Sequence, residues 1–182
     1  IAFTRIGILK LMMQDLVMLV PLTTLVVMAF SMYLFRRWIT VWLSGLTSVF
    51  GVAATLGLMG LNNDDINQLT LTFPILLMVI IVANNVHFFH RYFREIELGH
   101  SVSEAVRITT QRIGIAALLS CFTTMIGFYT LMTADMLILR SFGFYLGTGV
   151  LVSFVGMMLI IPPCLLLFAP KPKTIKHSDE AD

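Results

Sequence analysis

The residues best placed to do chemistry lie in one stretch, Val79 to Glu95, with the sequence VIIVANNVHFFHRYFRE. It begins as pure hydrocarbon, passes Asn84, Asn85 and His87, and ends in a basic, aromatic collar. Apolar runs flank it on both sides, so these polar side chains form a notch inside a membrane helix. A polar group left unsatisfied in hydrocarbon is costly, and the notch must therefore face protein or water rather than lipid. Asn84, His87 and Arg91 recur about one helical turn apart on one stripe, whereas Asn85 is turned roughly 100° round the helix towards a different neighbour. Two uses fit such a notch. One is a polar relay or ligand contact in the bundle centre. The plainer one for each asparagine is interhelical hydrogen bonding, worth about 0.6 kcal/mol per bond. His87 is the one side chain near mid-span that could titrate near neutral pH, which makes it the candidate proton carrier; a neutral, hydrogen-bonded histidine is the alternative. Thr123 and Thr124, in a later apolar run, are natural polar partners for the notch, although threonines in membrane helices commonly bond back to their own helix carbonyls.

No soluble-enzyme motif accompanies the notch. A nucleotide-binding glycine loop, a metal-ligand cluster and a Ser/His/Asp set able to assemble are all missing, as are polybasic nucleic-acid patches. The sequence thus gives no reason to expect an enzyme, a metal site, a cofactor or a nucleic-acid partner. Cys121 and Cys164 fall in apolar runs far apart and read as buried thiols rather than a disulfide framework.

The elements that must hold the notch are membrane spans. The chain of 182 residues is 58% hydrophobic and 12% charged, about half the ~25% charged content of a soluble domain. Its mean hydropathy is +0.91. The pattern predicts an all-α, polytopic membrane helix bundle with five transmembrane helices and an amphipathic cytoplasmic surface helix. Residues 1–15 form an amphipathic opening segment, or the frayed start of the first span. The transmembrane domain covers 16–168, with spans at about 16–35, 39–61, 69–90, 113–134 and 141–168, each able to cross a ~30 Å hydrocarbon core. Residues 169–182 read as a disordered cytoplasmic tail.

Punctuation within these spans is informative. Pro21 falls in the first turns of the first span, where a missing N–H costs least. Trp38 and Trp42 are interfacial anchors. Gly45, Gly51, Gly57 and Gly60 sit among Ser and Thr, so the second span packs inside the bundle. The loop Asn62 to Gln68 reads as an aqueous turn rather than a cation site built on Asp64 and Asp65. The surface helix is expected within Arg91 to Arg112, broken at Gly99 and restarted by Ser101 with Glu104 as its capping-box partner. Gly143 and Gly147 form a GxxxG pair, and Pro162-Pro163 kinks or ends the last span.

Charge sets the orientation. Arg36, Arg37, Arg91, Arg94, Arg107, Arg112, Lys171, Lys173 and Lys176 collect on one side; Arg5, Lys10 and Arg140 are the remainder of the 12. The positive-inside rule places the first group in the cytoplasm, with the N-terminal end outside and the tail inside. The chain opens on Ile1 with nothing like a cleavable signal, and reads as a piece of a longer protein.

From the notch onward an ordered run of local patterns resembles the resistance–nodulation–division (RND) transporter superfamily. Within it, the likeness is to the MMPL, hopanoid-exporter and sterol-sensing-domain branch. The patterns are Val86-His87-Phe88-Phe89 leading into Arg91-Tyr92-Phe93-Arg94-Glu95, Gly99 followed by Glu104-Ala105-Val106, Ser120-Cys121-Phe122-Thr123-Thr124-Met125-Ile126-Gly127-Phe128, then Ser141-Phe142-Gly143 and Pro162-Pro163. The resemblance implies helices 2–6 of one half of such a transporter, the C-terminal half by its charged tail. It implies residence in the bacterial inner membrane, membrane lipids and a hydrophobic or lipid substrate as partners, and the other pseudo-symmetric half of the same transporter; an oligomer is compatible with it. Proton-driven relatives carry an acidic residue in this helix. Aligned on His87, that position is Ala83, and the neighbouring family glycines are Val79 and Ile81. The expected function is therefore half of the membrane domain of an exporter moving lipids or other hydrophobic molecules, with the proton-coupling carboxylate in the other half. The alternative is a sterol-sensing-like lipid-binding membrane module without transport.

Overall fold

The computed structural model describes residues 2–62, 69 and 72–168, with side chains described at 11, 14 and from 17 onward within those ranges. Five long helices follow one another: α1 (Ala2–Phe35), α2 (Trp38–Leu61), α3 (Phe73–Glu97), α4 (Val102–Thr130) and α5 (Leu137–Phe168). A 3₁₀ turn, Leu131–Thr133, separates the last two. Each long helix contains a stretch long and apolar enough to cross a membrane. A helix satisfies its own backbone, which is why apolar runs of this length fold as spans. The expected five-span, all-α architecture is the observed one.

The helix ends follow local chemistry. Pro74 occupies the first turn of α3, where its missing N–H costs nothing. Beyond Glu97, Gly99 takes a φ of +87°. The His100 N–H then donates to the Glu95 carbonyl at 3.2 Å, and the Gly99 N–H to Ile96 at 3.1 Å. That pair of bonds is a Schellman cap. Ser101 starts α4 with the expected capping box: its hydroxyl accepts from the Glu104 N–H at 3.4 Å, and its own N–H donates to Glu104 Oε2 at 3.2 Å.

Some expected boundaries move. The helix expected as a separate surface element over 91–112 is instead the last turns of α3 and the first turns of α4. Gly99 is the only break, and α4 runs through Gly114 without interruption. A single interior glycine costs about 1 kcal/mol, too little to stop a helix of this length. Pro21 lies deep inside α1 rather than in a first turn, because helix extends back to Ala2. Pro162 and Pro163 lie inside α5, which continues to Phe168. Asp64, Asp65 and the tail after Phe168 fall outside the described residues, as do the side chains of Arg5 and Lys10.

Helices α2, α3 and α5 form the centre; α5 packs along both α4 and α2, and α1 lies against α2 and α3. Two apolar clusters fill the interior. One contains Val52, Leu77, Ile81, Val82, Cys121 and Val150; the other contains Leu43, Phe88, Phe89, Val106, Met157 and Ile161. Between them lies a thin polar layer of buried Thr47, Ser48, Asn85 and Ser153. The faces of α1 and α4 away from these clusters stay largely uncovered, with Val17, Leu25, Val26, Ile115, Leu119 and Ile126 all exposed. Trp38 and Trp42 are likewise exposed at the start of α2, as interfacial anchors would be.

Candidate functional site

The notch of α3 opens in three directions. Asn85 is fully buried and points to α2, where its Nδ2 donates to Thr47 Oγ1 at 2.8 Å. The Thr47 hydroxyl donates in turn to the Leu43 carbonyl at 2.9 Å, so amide, hydroxyl and helix backbone form a short chain. Among the described residues Asn85 Oδ1 has no hydrogen-bond partner, and neither does the buried Ser48 Oγ. Asn84, half-buried, turns to α4, with Nδ2 3.8 Å from the sulfur of buried Cys121. His87 is exposed and turns outward.

That outward face is an open apolar groove between α1 and α3, of about 480 Å³, lined by Val26, Val27, Phe30, Val79, Ala83 and His87 among others. Val79, Ala83 and His87, four residues apart, share one line along α3. The position where the resemblance expects an acid therefore stands on an uncovered face of the chain.

Thr123 and Thr124 do not reach the notch. Both hydroxyls donate to the Ser120 carbonyl, at 2.9 and 2.8 Å. Asn84 meets Cys121 from that helix instead, and Asn85 meets α2. The separation of the two asparagines is the one that their angular offset requires; their partners are residues that sequence reasoning did not pair with them. A signal for Thr47 exists: Thr40, Ser44, Thr47, Gly51 and Thr55 recur at helical spacing, and each is buried. Hydroxyl hydrogen bonding onto backbone carbonyls recurs along this face, since Thr55 donates to Gly51 at 2.8 Å.

A second polar cluster was hidden in the charged segment. Glu95, only 3% exposed, pairs with Arg91 one turn earlier and lies 3.4 Å from His100 Nδ1. At the other end of the bundle Asn62 donates to the Tyr145 hydroxyl at 3.1 Å, and Tyr129 and Thr148 share a hydrogen bond of 3.0 Å between α4 and α5.

The Asn85–Thr47 bond yields a direct test. A double-mutant cycle on Asn85→Ala and Thr47→Val, read as unfolding free energy in detergent, should give a coupling of about 0.6 kcal/mol and at most ~1.7. The same cycle between Asn85→Ala and Thr124→Val should give none. Coupling at the second pair and none at the first would contradict the geometry.

Five apolar helices around a buried polar layer define a multi-pass membrane protein. Residues 7–180 match the MMPL family, and the chain belongs to it. It is similar to Protein dispatched homolog 1 of Mus musculus and of Homo sapiens, in each case 35% identical over 65 residues, which is 36% of this chain and 4% of that protein. It is also similar to a membrane protein of Methanocaldococcus jannaschii, 23% identical over 119 residues, covering 65% of this chain and 31% of that protein. The chain thus spans a small part of the curated relatives it matches.

Proposed function

We propose that the chain is half of the membrane domain of an RND-type exporter that moves lipids or other hydrophobic molecules, with the proton-coupling carboxylate supplied by the other half. The observation that supports this most is the open line Val79–Ala83–His87 on α3. A face of a central helix left bare in this chain is suited to meet a pseudo-symmetric partner, and alternating access in such folds is one repeat rocking against the other. His87 lies on that boundary, whereas Asn84 turns to Cys121 of α4. Asn85 does not, because it is sealed against Thr47, and its role is to hold α3 to α2. The proposed setting is a bacterial inner membrane with the arginine-rich α1–α2 turn facing the cytoplasm. No enzymatic step is assigned.

The deciding experiment is proton-gradient-dependent transport of a labelled lipid by the full-length protein in proteoliposomes. Wild type is compared with Asn84→Ala and His87→Ala. Both variants should retain gradient dependence. Its abolition by His87→Ala alone, with folding intact, would move the coupling into this half and overturn the reading.

One observation favours a second reading, a sterol-sensing-like lipid-binding module. The α1–α3 groove is apolar and large enough for part of an acyl chain or a ring system. Under that reading a photoactivatable lipid labels Phe30 or Val79 while the full-length protein moves no lipid.

A further inference from the structure

A polar cavity of about 580 Å³ lies at the α1–α2 end of the bundle, lined by Phe35, Arg37, His90, Phe93, Arg94 and Glu97 among others. Its His90 lies one helical turn beyond His87 on α3, at the end of the span, and the proposed transport step does not use it. Its walls are the last turn of α1, the Arg36–Arg37 corner and the final turns of α3.

The corner closes α1 with a left-handed residue, a common helix ending. Arg36 has a φ of +51°, a left-handed conformation that costs a non-glycine residue roughly 1–2 kcal/mol. The chain thereby turns within two residues, and Arg37 lands at the N-cap of α2 with its guanidinium carbon 4.6 Å from the centre of the Phe93 ring. Phe93 is itself held by Phe35 and Tyr92, with ring centres 5.8 and 5.2 Å away. A guanidinium stacked on a ring keeps its in-plane N–H edges free for an oxyanion.

Those edges are unclaimed among the described residues. Arg91 is engaged by Glu95, whereas neither Arg37 nor Arg94 has an ion pair among the described residues. Glu97 is the one carboxylate among the lining residues, against two guanidinium groups and the His90 imidazole. Arg37 is also the N-cap residue of α2, which has no side-chain cap, so the positive end of that helix dipole lies beside it. The cavity sits where apolar spans end, beside exposed Trp38, at the depth of lipid headgroups.

We propose that this cavity binds the phosphate of an anionic membrane lipid, gripped by Arg37 and Arg94 while its chains run down the exposed faces of α1 and α3. A phosphate supplies in-plane acceptors for both forks, and basic pockets between transmembrane helices are suited to such headgroups.

The test uses the full-length protein in phosphatidylcholine nanodiscs containing a minor fraction of spin-labelled phosphatidylglycerol. The readout is the preference of the protein for the labelled lipid over spin-labelled phosphatidylcholine. Arg37→Gln/Arg94→Gln should lower that preference about 10- to 30-fold, at roughly a factor of five per cation. Arg37→Lys/Arg94→Lys should restore part of it, since charge returns without the fork, and Glu97→Gln should raise it. Arg107→Gln/Arg112→Gln removes the same charge outside the cavity and should leave the preference near that of the wild type. Equal losses in the two glutamine pairs would reduce the effect to bulk charge and overturn the site, as would an unchanged preference in Arg37→Gln/Arg94→Gln. A second arm titrates inorganic phosphate. Displacement of the labelled lipid that depends on Arg37 and Arg94 would assign the cavity to a soluble phosphate and overturn the lipid assignment. Circular dichroism and elution volume monitor the fold of every variant.

Discussion

Gly143→Val is expected to pry α5 from α4 and to remove most of the monodisperse full-length protein from detergent extracts. A Cβ at Gly143 would lie on the Phe128 carbonyl and 2.8 Å from the Leu131 Cβ. The obstacles are backbone and the first atom of a side chain, so no rotamer change relieves them. Four residues on, a Cβ at Gly147 would meet the Tyr129 ring at 2.5 Å, and that ring is tethered through its hydroxyl to Thr148. Overpacking a formed interface costs typically ~1–3 kcal/mol, and a valine driven against immovable backbone belongs at or above the upper end. The matched control is Gly127→Ala on α4. Nothing lies within 4 Å of a Cβ there, so the change should be neutral or raise stability by up to about 1 kcal/mol through helix propensity. Thermal melts in detergent check both. Equal midpoints for Gly143→Val and wild type would show that this close approach is not required.

The second large effect is expected at Glu95. Its carboxylate is almost wholly buried, while the paired Arg91 side chain keeps 23% exposure. Glu95→Ala strands a half-buried guanidinium. Breaking a buried ion pair from one side costs about 3–5 kcal/mol, and the partial exposure of Arg91 places this case towards the lower end. The same substitution removes the carboxylate next to His100, just where the Schellman cap ends α3. Glu95→Ala/Arg91→Ala should be less destabilised than Glu95→Ala alone, because no orphaned charge remains. Unfolding midpoints from titration with a denaturing detergent give both values. A double variant no better than the single one would show that Glu95 acts through the helix end rather than through Arg91.

These two sites differ in how openly the sequence announces them. The GxxxG pair is a local pattern whose meaning is close approach, and Gly143 and Gly147 meet α4 in that way. Glu95 gives no such sign. In the run from Arg91 to Arg112 it reads as one more charge on a solvated face, and only the fold of α3 against α4 buries it. The notch divides likewise. That Asn84 and Asn85 face different neighbours follows from 100° per residue, but the neighbours, Cys121 and Thr47, lie 37 and 38 residues away along the chain.

The sequence by itself determined the presence of five spans, the capping box at Ser101, the break at Gly99, the close approach at Gly143 and Gly147, though not at Gly57 and Gly60, which stand open, and the alanine at position 83. Each of these is a short-range property: the length of an apolar run, a hydrogen bond across three residues, a backbone angle, or one residue type against a family pattern. Only the tertiary structure decided that Asn85 is sealed while His87 is open, that the charged run from Arg91 to Arg112 belongs to two long helices, and that Arg37 is stacked over Phe93. Hydrophobicity measures the medium a helix prefers and leaves its rotation about its own axis free. In a bundle that rotation is fixed by contacts between helices distant in sequence, through small residues, hydroxyls and amides whose partners no local window contains.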